Sequence, residues 1–135
     1  VSCSRGDGLG IEQLLTEGVT ALVLSTEANP VVQVRCTKLG IPCVQNLGNN
    51  KVRAFREYLT ANHLSADDVL YVGNDVNDLE CMDLAGLSAV VSDAHPMVLS
   101  VADWVLESVG GGGAVREVTD QIIQARQLMP DELIK

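Results

Sequence analysis

The stretch Val69-Leu70-Tyr71-Val72-Gly73-Asn74-Asp75-Val76-Asn77-Asp78-Leu79-Glu80 decides the fold, because an apolar, β-rich run ends abruptly in a glycine and a cluster of acids. Val69 to Val72 is the short continuous apolar run of a strand covered on both faces. The polar segment after it leads into a helical pattern with Leu79, Met82 and Ala85/Gly86. In an open parallel sheet such a strand-loop-helix unit puts the loop at the carboxyl edge, where ligands bind and helix N-termini point. Asp75 and Asp78, with Asn74, offer hard oxygen ligands suited to Mg²⁺, which takes a few carboxylates together with water and phosphate oxygens. The same residue types are also ordinary N-caps and first-turn acids.

Upstream, Val19 to Leu24 is a second buried-strand candidate that stops at Ser25-Thr26-Glu27. Hydroxyls there can hold a phosphate or simply start the next turn. Pro30 begins a helix with Val31, Val34, Cys36 and Leu39 on a partly apolar face, Gly40 stops it, and Ile41 to Val44 is a short strand. Asn49-Asn50-Lys51 opens the next helix, in which Val52, Phe55 and Leu59 fall at helical spacing. Lys51 opposes the helix dipole unless it faces an anion bound at that edge, although solvation can also tolerate it. Nearer the start, Gly6-Asp7-Gly8-Leu9-Gly10 follows no strand, so the beginning reads as cut. Asp7 is a candidate cap for a helix from about Ile11 to Glu17 that Gly18 ends.

Downstream, Leu87 to Val91 is another strand, ending at Ser92-Asp93-Ala94-His95-Pro96, where His95 is either an acid–base group or a cap. Pro96 to Val101 predicts a short helix, Asp103 to Leu106 a short strand, and Gly110 to Gly113 a flexible crossing that suggests close backbone approach to something. Ala114, Val115, Val118, Ile122 and Ala125 form one face of a last helix. Strands alternating with helices predict an α/β domain, a parallel sheet with helices on both faces.

Composition limits the function. A formal charge of −9, from 9 Lys and Arg against 18 Asp and Glu, argues against a nucleic-acid partner. No apolar run approaches a membrane span, so a soluble, cytoplasmic protein is the expectation. The 135 residues suit one domain with an aliphatic core. The four cysteines show no CxxC spacing and lie in or beside apolar patterns, which fits buried free thiols.

Ser25, Lys51 and the Asn74/Asp75/Asp78 group come from three successive βα junctions, which a parallel sheet brings to one edge. Hydroxyl, ammonium and carboxylates there make a Mg²⁺–phosphate site, still in need of a nucleophile.

Gly6-Asp7-Gly8-Leu9-Gly10-Ile11, Leu24-Ser25-Thr26-Glu27, Arg35-Cys36-Thr37-Lys38-Leu39-Gly40-Ile41, Asn50-Lys51, Tyr71 to Asp78, Ala94-His95-Pro96 and Gly110 to Glu117 form an ordered set. As a set they resemble the haloacid dehalogenase superfamily, in its capless branch of 3-deoxy-octulosonate-8-phosphate phosphatases and the related C-terminal domain of some CMP-sialic acid synthetases. The resemblance implies a Rossmann-like fold with no large cap, Mg²⁺ as cofactor and a sugar-acid phosphate as substrate. It gives Ser25, with Thr26, the phosphate-binding hydroxyl, Lys51 the phosphate-bridging lysine, and Asn74 to Asp78 the metal-binding acidic motif, with Asn74 and Asp75 as ligands and Asp78 catalytic. It also implies a homotetramer, in which the segment with Gly111, Gly112 and Arg116 reaches a neighbouring subunit's site or the substrate.

Two departures stand out. The family's first strand carries an Asp-x-Asp motif whose first aspartate attacks phosphorus, and none precedes Val1. Asn74 stands where the phosphatases carry an aspartate, and an amide brings no charge to a metal. Two readings remain: a Mg²⁺-dependent phosphatase working through an aspartyl-phosphate once its first strand is supplied, or a catalytically idle oligomerisation or regulatory domain of a CMP-sialic acid synthetase.

Overall fold

The computed structural model describes residues 5–25, 30–45, 47, 50–110 and 112–128. Helix α1 (Arg5–Thr16), strand β1 (Val23–Leu24), helix α2 (Pro30–Leu39) and strand β2 (Cys43–Val44) are followed by helix α3 (Lys51–Ala61) and strand β3 (Leu70–Gly73). Helix α4 (Leu79–Leu84), strand β4 (Leu87–Val90), helix α5 (Pro96–Val101), strand β5 (Trp104–Val105) and helix α6 (Ala114–Leu128) complete the alternation. All strand pairs among the described residues are parallel, in the orders β1-β2 and β3-β4-β5.

Local chemistry explains the boundaries. α1 and α2 end in glycines at positive φ, Gly18 at 85° and Gly40 at 72°. Each C-terminus closes with paired backbone bonds, Val19 N–H to Leu14 O and Gly18 N–H to Leu15 O in the first case. α1 starts at Arg5, so Asp7 lies inside the helix rather than at its cap. Gly6, Gly8 and Gly10 are poor helix formers, and tertiary packing compensates. A Cβ on Gly10 would overlap Thr119 Oγ1, so the missing side chain lets α1 approach α6 closely. On α2, Cys36 is buried but Val34 is 58% exposed, which narrows the predicted apolar face. On α6 the buried stripe takes in Ala114, Val118, Thr119 and Ile123, while Ala125 faces solvent.

Two apolar clusters result. The larger joins Phe55 and Leu59 of α3, Tyr71 of β3, Cys81 and Met82 of α4, Ala89 and Val90 of β4, and Val118 of α6. The smaller has, among the described residues, Cys36 and Ile41 as buried members, flanked by residues such as Leu15, Val23 and Leu39. Cys36 and Cys81 are buried, Cys43 is half-buried, and Cys3 lies outside the described residues. No helix among the described residues is long and apolar enough to cross a membrane.

A cleft of about 690 Å³ separates the two sheets, lined by Leu24 of β1, Leu70 and Val72 of β3, Leu14 of α1, Phe55 of α3 and Val118 of α6. Val23 and Ser25 donate their N–H groups toward β2, so the backbone of Leu24 points the other way, into the cleft. The carbonyls of Val69 and Gly73 accept from the β4 side, which turns the backbone of Leu70 and Val72 toward the cleft from the opposite rim.

Candidate active site at the carboxyl edge

Asp78 organises this edge. It is 1% exposed, and each carboxylate oxygen accepts two hydrogen bonds. Oδ1 accepts from Lys51 Nζ at 2.8 Å and Tyr71 Oη at 2.6 Å. Oδ2 accepts from the backbone N–H groups of Asn74 and Asp75 at 2.9 and 3.2 Å. Burial alone would raise the Asp78 pKa, but the bonds from Lys51, Tyr71 and Asn74 with the Lys51 charge outweigh it and hold the carboxyl below its usual range. The Tyr71 hydroxyl moves oppositely: burial, the Asp78 charge and the bond to it push its pKa up.

Sequence explains the placement. Gly73 ends β3 because a Cβ there would lie 2.8 Å from the Asp78 Cβ and 3.0 Å from Oδ2. Asp75 caps a short 3-10 helix, Val76–Asp78, in a reciprocal capping box with Asp78. Lys51 opens α3, and its side chain is 12% exposed; the partner that stabilises this first-turn cation is the Asp78 carboxylate rather than solvent. Because Lys51 follows β2 and Asp78 follows β3, their contact shows that both sheets present their carboxyl ends on the same side.

Four donors occupy the Asp78 carboxylate in this structure, so it offers no open oxygen to a metal here. The expectation of three oxygen ligands reduces to Asn74 and Asp75, both exposed. Among the described residues no group of three or more His, Cys, Asp or Glu gathers where it could hold a metal ion. An amide and one carboxylate still fit Mg²⁺ as a partial set, because that ion keeps several waters and takes phosphate oxygens.

The other candidates divide. Ser25 follows β1 at the carboxyl end, with its N–H on Val44 O and its carbonyl accepting from Leu47. Thr26 and Gly111 lie outside the described residues. His95 acts as the cap of α5, its Nδ1 accepting from Met97 N–H, while its own backbone N–H reaches Asn74 O. Arg116 Nε donates to Asp120 on the same helix at 2.8 Å.

Gly111 of the expected flexible crossing lies outside the described residues, and its neighbours on either side are hydrogen-bonded. Gly110 N–H donates to Asp93 Oδ1, Gly112 N–H to Val109 O, and Ser92 N–H to Ser108 O. Glu117 accepts from the N–H groups of Glu107 and Ser108 at 3.0 and 2.9 Å. Desolvation would raise the Glu117 pKa, but these bonds lower it. The loops after β3, β4 and β5 are thus tied to one another. Sequence reasoning passed over Tyr71 and Glu117. A hydroxyl-bearing ring in an otherwise aliphatic strand, and a glutamate in the first turn after a glycine run, were the available signals.

A model of the haloacid dehalogenase-like hydrolases matches residues 24–118. The 3-deoxy-D-manno-octulosonate 8-phosphate phosphatase KdsC of Escherichia coli (strain K12) is 38% identical over 120 residues, which is 89% of this chain and 64% of the relative. The chain thus spans under two thirds of that relative's length. The crystal structure of the 3-deoxy-D-manno-octulosonate 8-phosphate phosphatase from Yersinia pestis superposes with a TM-score of 0.90 at 34% identity, covering 93% of this chain and 68% of the other. The Moraxella catarrhalis phosphatase, solved in complex with magnesium ion, phosphate ion and KDO, gives 0.88 at 27% identity over 92% of this chain and 71% of the other.

Proposed function

Because the chain belongs to the haloacid dehalogenase-like hydrolase family, we propose that it forms the greater part of a Mg²⁺-dependent phosphatase for the phosphate monoester of a sugar acid, 3-deoxy-D-manno-octulosonate 8-phosphate or a sialic-acid-like phosphate. The observation that carries this reading is the Lys51 ammonium, held by the buried Asp78 carboxylate beside Asn74. In this mechanism the hydroxyls of Ser25 and Thr26 donate to phosphate oxygens, and Lys51 neutralises the charge that phosphoryl transfer concentrates on them. Asp78 acts on Lys51 and on the Asn74 and Asp75 amides rather than on the substrate. Asn74 and Asp75 would hold Mg²⁺, which supplies positive charge to the phosphoryl oxygens.

The chemistry needs an aspartate whose carboxylate attacks phosphorus, expels the sugar alkoxide with a proton, and is regenerated when water cleaves the aspartyl-phosphate. The sequence has no Asp-x-Asp. We assign that motif to a further parallel strand seated in the cleft. In favour of this stand the inward-pointing backbones of Leu24, Leu70 and Val72 and the cleft's apolar lining. A strand there would end beside Lys51 and Asn74. A cytoplasmic homotetramer, with Gly111, Gly112 and Arg116 near a neighbouring subunit's substrate, belongs to the same proposal. The relatives named above are phosphatases, and nothing in them supports an idle synthetase domain.

Phosphate release from 3-deoxy-D-manno-octulosonate 8-phosphate tests the reading, measured on the chain alone and on the chain joined to an apolar strand ending in Asp-x-Asp. Turnover is expected only in the second case, and only with Mg²⁺. No release from this or any other sugar-acid phosphate, with the strand and Mg²⁺ both present, would defeat it.

A further inference from the structure

Tyr71 lies in the middle of β3 with its ring 5.8 Å from that of Phe55, tilted at 42°, inside the larger apolar cluster. Phenylalanine would fill that space equally well, so packing does not account for the hydroxyl. A buried phenol needs an acceptor, and this one has the Asp78 Oδ1 at 2.6 Å, the shortest contact the carboxylate makes. The neighbouring lone pair of the same oxygen takes Lys51 Nζ.

The phenol bears on Lys51 in two ways. A carboxylate held by lysine alone would draw the ammonium onto itself and cancel much of its field. A second, uncharged donor on Oδ1 disperses the carboxylate charge and weakens that pull. The phenol also fixes the plane of the carboxylate, since Oδ2 must at the same time meet the Asn74 and Asp75 N–H groups. An ammonium carries three donors, and Asp78 takes one of them.

We infer that Tyr71 is a positioning residue: through the shared Asp78 oxygen it sets where Lys51 presents its ammonium to a bound phosphate, without touching the phosphate itself. This rests on the proposed phosphate role of Lys51. The test uses Tyr71→Phe, Lys51→Met and the double variant, with inorganic phosphate in MgCl₂ as probe and calorimetric titration as readout. Tyr71→Phe is expected to bind phosphate ~3–10-fold more weakly, the size of one ordinary hydrogen bond, because the phenol acts on the ammonium only through Asp78. In the Lys51→Met background the same change is expected to have no further effect on phosphate binding. An equal loss in both backgrounds would make Tyr71 merely structural and overturn the inference, as would unchanged binding in the single variant.

A second readout separates this inference from the reading beneath it. The ¹³Cε resonance of Lys51 is expected to move in Tyr71→Phe whether or not phosphate is present. An unmoved resonance overturns the positioning role while leaving Lys51 its phosphate. Phosphate binding indifferent to Lys51→Met removes the phosphate role itself and the inference with it. If Tyr71→Phe fails to fold, 3-fluorotyrosine at position 71 replaces it, and its stronger donor is expected to shift both readouts opposite to any partial loss of the bond. No shift in either would count against the inference.

Discussion

Replacing Asp78 with asparagine changes one atom and removes one charge, and the geometry sets the cost. If the new amide nitrogen takes the place of Oδ2, it meets the N–H groups of Asn74 and Asp75, donor against donor. If it takes the place of Oδ1, it meets Lys51 and Tyr71. Either way two donors lose their acceptor, and Lys51, 12% exposed, loses its counter-charge. Breaking a buried pair from one side costs about 3–5 kcal/mol. That is a large share of the ~5–15 kcal/mol that holds a domain together. With a urea slope of about 2 kcal/mol per molar, the unfolding midpoint should fall by ~1.5–2.5 M.

The pH dependence gives the same experiment a second arm. The folded carboxyl of Asp78 lies below its unfolded value, near ~3.9 for an aspartate. Its contribution is therefore complete above the unfolded pKa and is lost as pH falls through the folded one. The gap in stability between wild type and Asp78→Asn should be widest near neutrality and narrow below pH ~4. An asparagine variant within ~1 kcal/mol of wild type at pH 7, with the same acid limb, would refute the reasoning.

Lys51→Met is expected to weaken inorganic phosphate binding by ~10-fold or more by titration, since it removes a charge-assisted donor. It should also lower the urea midpoint, because Asp78 is left buried without its cation while the circular dichroism of the fold persists. His63, at φ 55°, closes α3 in the left-handed region that glycine adopts freely. His63→Gly should raise stability by ~0.5–1 kcal/mol, read as a rise of ~2–5 °C in Tm. Glu117→Gln should speed amide exchange at Ser108, whose N–H it holds. In the wild type that protection should fade as pH falls through the lowered folded pKa of Glu117, and pH-independent protection in both proteins would speak against the clamp.

Much of the fold was legible where backbone chemistry is local. Pro30 and Gly40 bound α2, Gly18 closes α1, and Pro96–Val101 forms the predicted short helix. The convergence of Lys51 and the acidic loop followed from parallel topology alone. The division of labour within that loop did not. Asp75 and Asp78 look alike in a sequence, and only burial and four donors separate the exposed acid from the saturated one. Nor does the sequence carry a sign of the distant partners at the glycine run and the strand end before it: Asp93 for the Gly110 N–H and Glu117 for the Ser108 N–H. Asp7 was misread for a related reason: contact with α6 lets a glycine-rich segment continue as helix upstream of the expected start.

The strand order has a consequence for motion: among the described residues β2 pairs with β1 alone, whereas β4 lies between β3 and β5. Cooperative units open in order of the contacts that close them. Amides of β2 should therefore trade deuterium well before those of β4, and the molecule should breathe along the seam between its sheets.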